Sequence, residues 1–151
     1  MSGAFAFRLF LFRFVPAAYF AGVRLTAFDE EKATCTVPQK WYNTNPFKSI
    51  YFAVLSMAAE ISTGVLCMAY IYRQKPGVSM LVTKNEGVFY KKATGKIAFE
   101  CKSGKAIEQA VAQAIETAES QSVVCHSVGK NKDGEVVAEF YFTWSFKKRS
   151  I

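Results

Sequence analysis

The sequence predicts an α+β domain in which a curled antiparallel sheet wraps around one long, apolar helix. Three observations carry that expectation. The stretch from Ser49 to Tyr72 is apolar over the length of a helix and holds one charged side chain, Glu60. The segments on both sides of it alternate apolar and polar residues at the period of half-buried strands. A helix that is apolar all round must be surrounded all round, and a sheet that curls does this with one layer.

The elements follow in chain order. Residues 1–16 read as a short N-terminal helix ending near Pro16, with Arg8 and Arg13 carrying their charges to water from an otherwise apolar run. After Gly22, VRLTAFD and KATCTVPQ alternate on either side of Asp29-Glu30-Glu31, as a strand pair or one bent strand would. The irregular KWYNTNPFKS leads into the central helix, expected at about 50–73, with Pro46 and Ser49 as start signals and Pro76-Gly77 as its breaker.

VSMLVTKNEGVFYKKA and GKIAFECKS read as strands. SGKAIEQAVAQAIETAES is an extra amphipathic helix at about 104–119, with Ile107, Ala110, Val111, Ala114 and Ile115 at helical spacing; it is expected to cover an outer surface. QSVVCHSVGKN and GEVVAEFYFTWSFKK form a hairpin around Asp133-Gly134. No linker or repeat divides residues 1–151, so a single domain is expected.

Composition narrows the function classes. Of 151 residues, 51% are apolar and the formal net charge is +7. That apolar content excludes a disordered chain. A basic balance is compatible with nucleic acid, an anionic membrane surface or a phosphorylated ligand such as coenzyme A. No nucleic-acid motif accompanies the charge, and the aromatics lie in apolar runs, so no nucleic-acid partner is expected. Cys35, Cys67, Cys101 and Cys125 are widely spaced, and His126 is the single histidine. Neither a disulfide nor a metal site is expected, and the cysteine usage suits a reducing cytoplasm.

Two segments invite a membrane reading. The N-terminal run is interrupted by arginines, whereas a signal peptide places its charge ahead of the apolar region, so no cleaved signal is expected. The central stretch is long enough to span a bilayer. A carboxylate near its middle would be expensive in lipid, Ser56, Ser62, Thr63 and Gly64 dilute its hydrophobicity, and the flanking strands need a core for one face. No membrane span is expected.

The order of elements is that of a hotdog fold, and NTNPFKSIYFAVLSMAAEISTG resembles the start and body of the central helix in PaaI/YiiD-like thioesterases. The resemblance is closest to the branch containing the uncharacterised DUF4442 proteins, and RFVPAAYFAGVRL and DGEVVAEFYFTWSFKK look like the same branch. It implies a homodimer of hotdogs, or a tetramer, binding an acyl-CoA or acyl-carrier thioester at the protomer interface. Coenzyme A would enter as part of the substrate, with no separate cofactor. The helix acid, here Glu60, would act as nucleophile or general base, and backbone N–H groups near the helix start would polarise the carbonyl. Many active relatives carry His-Gly-Gly there; the matching positions here are Tyr51, Phe52 and Ala53, which departs from that pattern. Hotdog dehydratases need a histidine near the helix start, and His126 lies on a late strand instead.

The residues themselves support a site around Glu60. Projected on a helix, Glu60 shares its face with Ala53, Ser56, Met57, Thr63, Gly64 and Cys67, a smaller and more polar side that would border a cleft rather than the sheet. A carboxylate among apolar walls has a raised pKa, which suits a general base near neutrality. Two roles stay open: catalysis or ligand contact, and pairing across a subunit interface without chemistry. Asn43 and Asn45 would orient a water or bind the thioester oxygen, or simply build a turn. Tyr51 would donate a hydrogen bond or pack, the N–H groups of Phe52 and Ala53 would form an oxyanion site, and Ser56, Thr63 and Gly64 would complete the pocket. The alternative function is a non-catalytic hotdog module that binds an acyl ligand or serves as an oligomeric scaffold.

Overall fold

The computed structural model of the chain describes residues 3–72 and 74–150. Met1, Ser2, Arg73 and Ile151, which the expected helix and domain limits include, lie outside the described residues.

In place of one N-terminal helix there are two, α1 (Gly3–Phe14) and α2 (Pro16–Ala21). Proline disfavours the helical conformation in the residue before it, and Val15 sits at φ −136°. Pro16 then opens α2, where its missing N–H is no loss. Gly22, at φ 91°, closes α2 by supplying the left-handed residue that lets its own N–H and that of Val23 reach Tyr19 O and Ala18 O.

β1 (Arg24–Phe28) and β2 (Ala33–Pro38) form the expected pair, joined where the Asp29 carboxylate accepts the N–H groups of Glu31 and Lys32 at 2.8 Å each. The central helix α3 (Phe52–Ile71) follows, then β3 (Val78–Phe89), β4 (Lys96–Cys101), α4 (Gly104–Thr117), β5 (Gln121–Lys130) and β6 (Val136–Lys148). All six strands join one antiparallel sheet in the order β1-β2-β4-β5-β6-β3. The sheet curls around α3, whose exposed residues are Phe52, Met68 and Ala69. By length and composition α3 could cross a membrane; here ten of its twenty residues are buried by protein.

On the concave side, Phe99, Phe140, Phe142, Trp144 and Phe146 point inward and are buried. The four cysteines are buried free thiols in the same core. Burial pushes the Cys35 thiol up to about 12, so it packs as a neutral small group.

The amphipathic helix keeps its polar side at the surface, as expected, and the surface it covers is the flank of α3 and not the back of the sheet. α4 packs beside α3 and against β5 and β6, on the concave side, while Val124 on the other face of β5 is exposed. The reason is local. Gly104 lets the first turn of α4 abut the β1–β2 turn: its N–H donates to Glu31 O at 3.0 Å, and an added Cβ would stand 2.1 Å from Glu30 O. The small residues Ala110 and Ala114 then let the buried stripe of α4 sit close to its neighbours.

The Gly104→Ala substitution weighs two effects against each other. Alanine favours a helix over glycine by about 1 kcal/mol, but a backbone oxygen cannot rotate out of the way as a side chain can. Overpacking wins, and we expect a loss of about 1–3 kcal/mol in urea denaturation; an unchanged or raised midpoint would contradict the close approach.

Candidate functional site

One face of the N-terminal half of α3 stands off from β3 and β6 and leaves a cleft of about 490 Å³, while the other, with Val54, Leu55, Ala58 and Ala59, is buried in the core. Phe52, Ala53, Ser56, Met57 and Glu60 line it from α3, Val82 and Asn85 from β3, and Phe142 from β6. The carboxylate face therefore does face the sheet, across a gap, where β3 and β6 meet. The C-terminal part of the same helix face is closed. Thr63 and Gly64 are buried there against Trp144, whose Nε1–H donates to Thr63 Oγ1 at 2.9 Å. Thr63 Oγ1 in turn donates to Glu60 O at 2.8 Å.

Glu60 sits at the boundary between these halves. Its Oε1 lies 3.2 Å from where a Cβ on Gly64 would stand, so glycine leaves the room the carboxylate occupies. No ion pair or side-chain hydrogen bond engages that carboxylate among the described residues. Burial against apolar walls holds its pKa above the usual carboxylate value. Among the described residues no three metal-ligating side chains come together.

The helix start is built by the segment before it. Tyr51 occupies the N-cap position; its N–H donates to Asn43 O at 2.9 Å, and its carbonyl accepts Val54 N at 2.9 Å and Leu55 N at 3.3 Å. The N–H groups of Phe52 and Ala53 are left with no acceptor among the described residues. Asn43 spends its whole amide on the backbone: Nδ2 donates to Ala21 O at 3.0 Å and Pro38 O at 2.9 Å, and Oδ1 accepts Lys40 N at 2.8 Å. Asn45 likewise accepts Phe47 N at 2.9 Å and donates to Ser49 Oγ at 3.1 Å. The Tyr51 ring stacks edge-on with Phe52 at 4.9 Å, and Phe52 with Phe89 at 6.3 Å.

The structure thus brings Phe52, Ala53, Ser56 and Glu60 to one cleft. It places Thr63 and Gly64 in its closed end, and Asn43, Asn45 and Tyr51 behind the helix start. Asn85 escaped the sequence reading. Along β3, Met80 and Val82 pair with Phe146 and Trp144 on the concave side, and strict alternation would then send residue 84 inward. A bulge between Val82 and Lys84 shifts the register, so Asn85 pairs with Phe142 and faces the cleft instead. Gly87 follows on the same face, where a Cβ would come within 2.9 Å of the Phe140 ring. An asparagine and a glycine inside a strand, both uncommon there, are the signals that mark this irregularity.

A single helix enclosed by a curled six-stranded antiparallel sheet, with a carboxylate at the gap between them, defines a hotdog-fold protein. The chain belongs to the DUF4442 family, a domain of unknown function whose family model matches residues 3–146. Solved structures share this fold. A protein of unknown function from Pseudomonas aeruginosa, described as a probable thioesterase, is 20% identical over 95% of each chain, with a TM-score of 0.80. A protein of unknown function from Chlorobaculum tepidum is 15% identical over 97% of this chain and 94% of its own, with a TM-score of 0.80. A thioesterase from Haemophilus influenzae is 12% identical over 98% of this chain and 92% of its own, with a TM-score of 0.67. At such identities the likeness is one of fold. No curated protein matches the chain in sequence.

Two stability measurements probe this arrangement. In Thr63→Val the buried Trp144 N–H loses its acceptor, and a loss of about 1–3 kcal/mol is expected in chemical denaturation; no change would mean that the indole finds another partner. Glu60 binds its proton more tightly in the folded chain than in the unfolded one. Its contribution is therefore most favourable below the unfolded value and is lost as pH rises through the folded value. Glu60→Gln removes that loss, so its Tm should exceed that of wild type at pH 8, and the gain should shrink as pH falls through the raised folded value and be gone below about 4. A Tm difference independent of pH would show that the carboxyl does not titrate in a buried site.

Proposed function

We propose that the chain hydrolyses an acyl thioester of coenzyme A, or of an acyl carrier, with Glu60 as the acting carboxylate. The observation that carries the reading is an unpaired, desolvated carboxylate at an apolar cleft whose helix start leaves two N–H groups without acceptors. A half-buried acid without a partner is costly to the fold, and function is a reason to keep it. The thioesterase descriptions borne by structural neighbours support the same class of reaction.

In the general-base route, Glu60 takes a proton from water as the water oxygen bonds to the thioester carbon. The N–H groups of Phe52 and Ala53 receive the developing oxyanion. The C–S bond then breaks, and the thiolate takes the proton back from Glu60. In the nucleophilic route a Glu60 oxygen attacks, the thiolate leaves, and water cleaves the resulting anhydride. Ser56 and Asn85 line the same cleft as the carboxylate and can position the water or the acyl oxygen. Thr63 and Gly64 hold the floor behind it, while Asn43, Asn45 and Tyr51 shape the segment that presents the free N–H groups.

The reading includes a homodimer, or a tetramer assembled from two, located in the cytoplasm. β3 is a twelve-residue edge strand with exposed Leu81, Val88 and Phe89. A free edge of that length is a template for pairing with a second copy. The four buried free thiols suit a reducing compartment. A second reading, an acyl-binding or scaffold module without catalysis, draws on the edge-to-face Tyr51 and Phe52 rings, which stand where many active hotdog proteins have small residues and an imidazole.

A panel of acyl-CoA substrates separates the two. Hydrolysis should fall at least about 100-fold in Glu60→Gln while the variant keeps its fold and oligomeric state. No turnover at any chain length by an intact oligomer would favour the binding module. Turnover unaffected by the substitution would remove Glu60 from the mechanism.

A further inference from the structure

Outward of the helix start lies a second hollow, of about 710 Å³. This is within the range of small-molecule sites. The segment preceding α3 forms one side, and the end of β3 with the residues after it forms the other. Its wall includes Phe47, Tyr51 and Tyr90, all well exposed, with Phe47 at 73%. Lys91 and Lys92 also line it, and no aspartate or glutamate does. Phe52 borders both this hollow and the Glu60 cleft, so the two meet at the first residue of α3.

These properties select a ligand chemistry. A purely apolar group would leave the Lys92 ammonium beside it without counter-charge, since only Lys91 has a carboxylate partner among the described residues. A bare phosphate would make no use of the exposed rings. A planar heterocycle carrying phosphates uses both, by stacking on the rings and pairing with the lysines. The lysines are free to do so at small cost. Among the described residues Lys92 Nζ donates only to Phe47 O, at 3.3 Å. Lys91 is engaged in an exposed pair with Glu135, a kind of contact that contributes about 0–1 kcal/mol.

We infer that this hollow binds the adenine nucleotide end of a coenzyme A thioester, with the pantetheine arm passing Phe52 so that the thioester reaches Glu60. The choice of ligand rests on the thioesterase reading above. The inference goes further by selecting coenzyme A over a protein-borne acyl group and by assigning the residues that recognise it.

Calorimetric titration of the full chain with coenzyme A, and separately with 3′,5′-ADP, tests the site without requiring turnover. Both ligands should bind wild type, and both should bind at least about tenfold more weakly to Lys92→Glu and to Phe47→Ala. Both side chains are exposed, so neither change disturbs the core. In hydrolysis assays the same variants should raise KM for an acyl-CoA with little change in kcat. They should leave cleavage of the matching acyl-N-acetylcysteamine thioester, which lacks the nucleotide, unaltered.

Wild type that binds neither probe overturns the site, whether or not it hydrolyses thioesters. So do variants that bind both probes as wild type does. Should Lys92→Glu alter the oligomeric state in size-exclusion light scattering while binding is retained, the hollow is a subunit contact and the inference falls. Nucleotide binding that depends on Lys92 and Phe47, in a protein that cleaves no thioester, keeps the site and removes the hydrolase reading.

Discussion

The architecture depends on enclosing α3. A helix with apolar residues on nearly every side has no face to give to water, and burying it on one flat sheet would leave more than half its circumference exposed. The antiparallel sheet meets this by curling, and α4 closes the flank that the sheet leaves open. The large inward aromatics of β4 and β6 fill the space between, and glycines are needed where those rings come closest. Gly129, for example, would place a Cβ 2.4 Å from the Phe99 ring. Curl, helix and glycines are thus one solution to one packing problem.

Within that enclosure, one junction separates core from site. Trp144 reaches across from β6 and binds Thr63, and Gly64 lets the indole and the Glu60 carboxylate share the space beside it. Below this junction the Glu60 face of the helix is closed. Above it the helix stands away from β3 and β6, and the bulge in β3 turns Asn85 into the gap. Glu60 lies where sealed core becomes cleft, desolvated enough to hold its proton tightly yet open to a ligand on one side. Removing a partner charge is what gives such a carboxylate chemical use, and the same absence is a burden on stability.

The helix start joins this cleft to the outside. Asn43 and Asn45 hold the preceding segment through backbone hydrogen bonds, which fixes where Phe52 and Ala53 present their free N–H groups. The Tyr51 and Phe52 rings make the surroundings of this helix start aromatic. The exposed rings and lysines beyond it give part of the +7 charge a definite place, at the mouth of the cleft rather than spread over the surface.

Much of this was legible in the sequence because it rests on periodicity and local chemistry. Strand alternation, the uniform apolarity of Ser49 to Tyr72, the turn residues and the lone charge at Glu60 are properties of short windows. They determine the α+β class, the enclosed helix and the acid most in need of an explanation. What they cannot carry is anything set by contact between distant segments. The break at Val15 followed from Pro16, but the placement of α4 beside α3 depended on Gly104 meeting a turn more than seventy residues earlier in the chain. The inward face of Asn85 depended on a one-residue bulge that reverses every side chain after it. The sequence by itself therefore determined which helix is buried and which carboxylate is exceptional. Only the tertiary structure decided which part of that helix faces a cleft, because that is settled by how Trp144, Thr63 and Gly64 pack across the sheet.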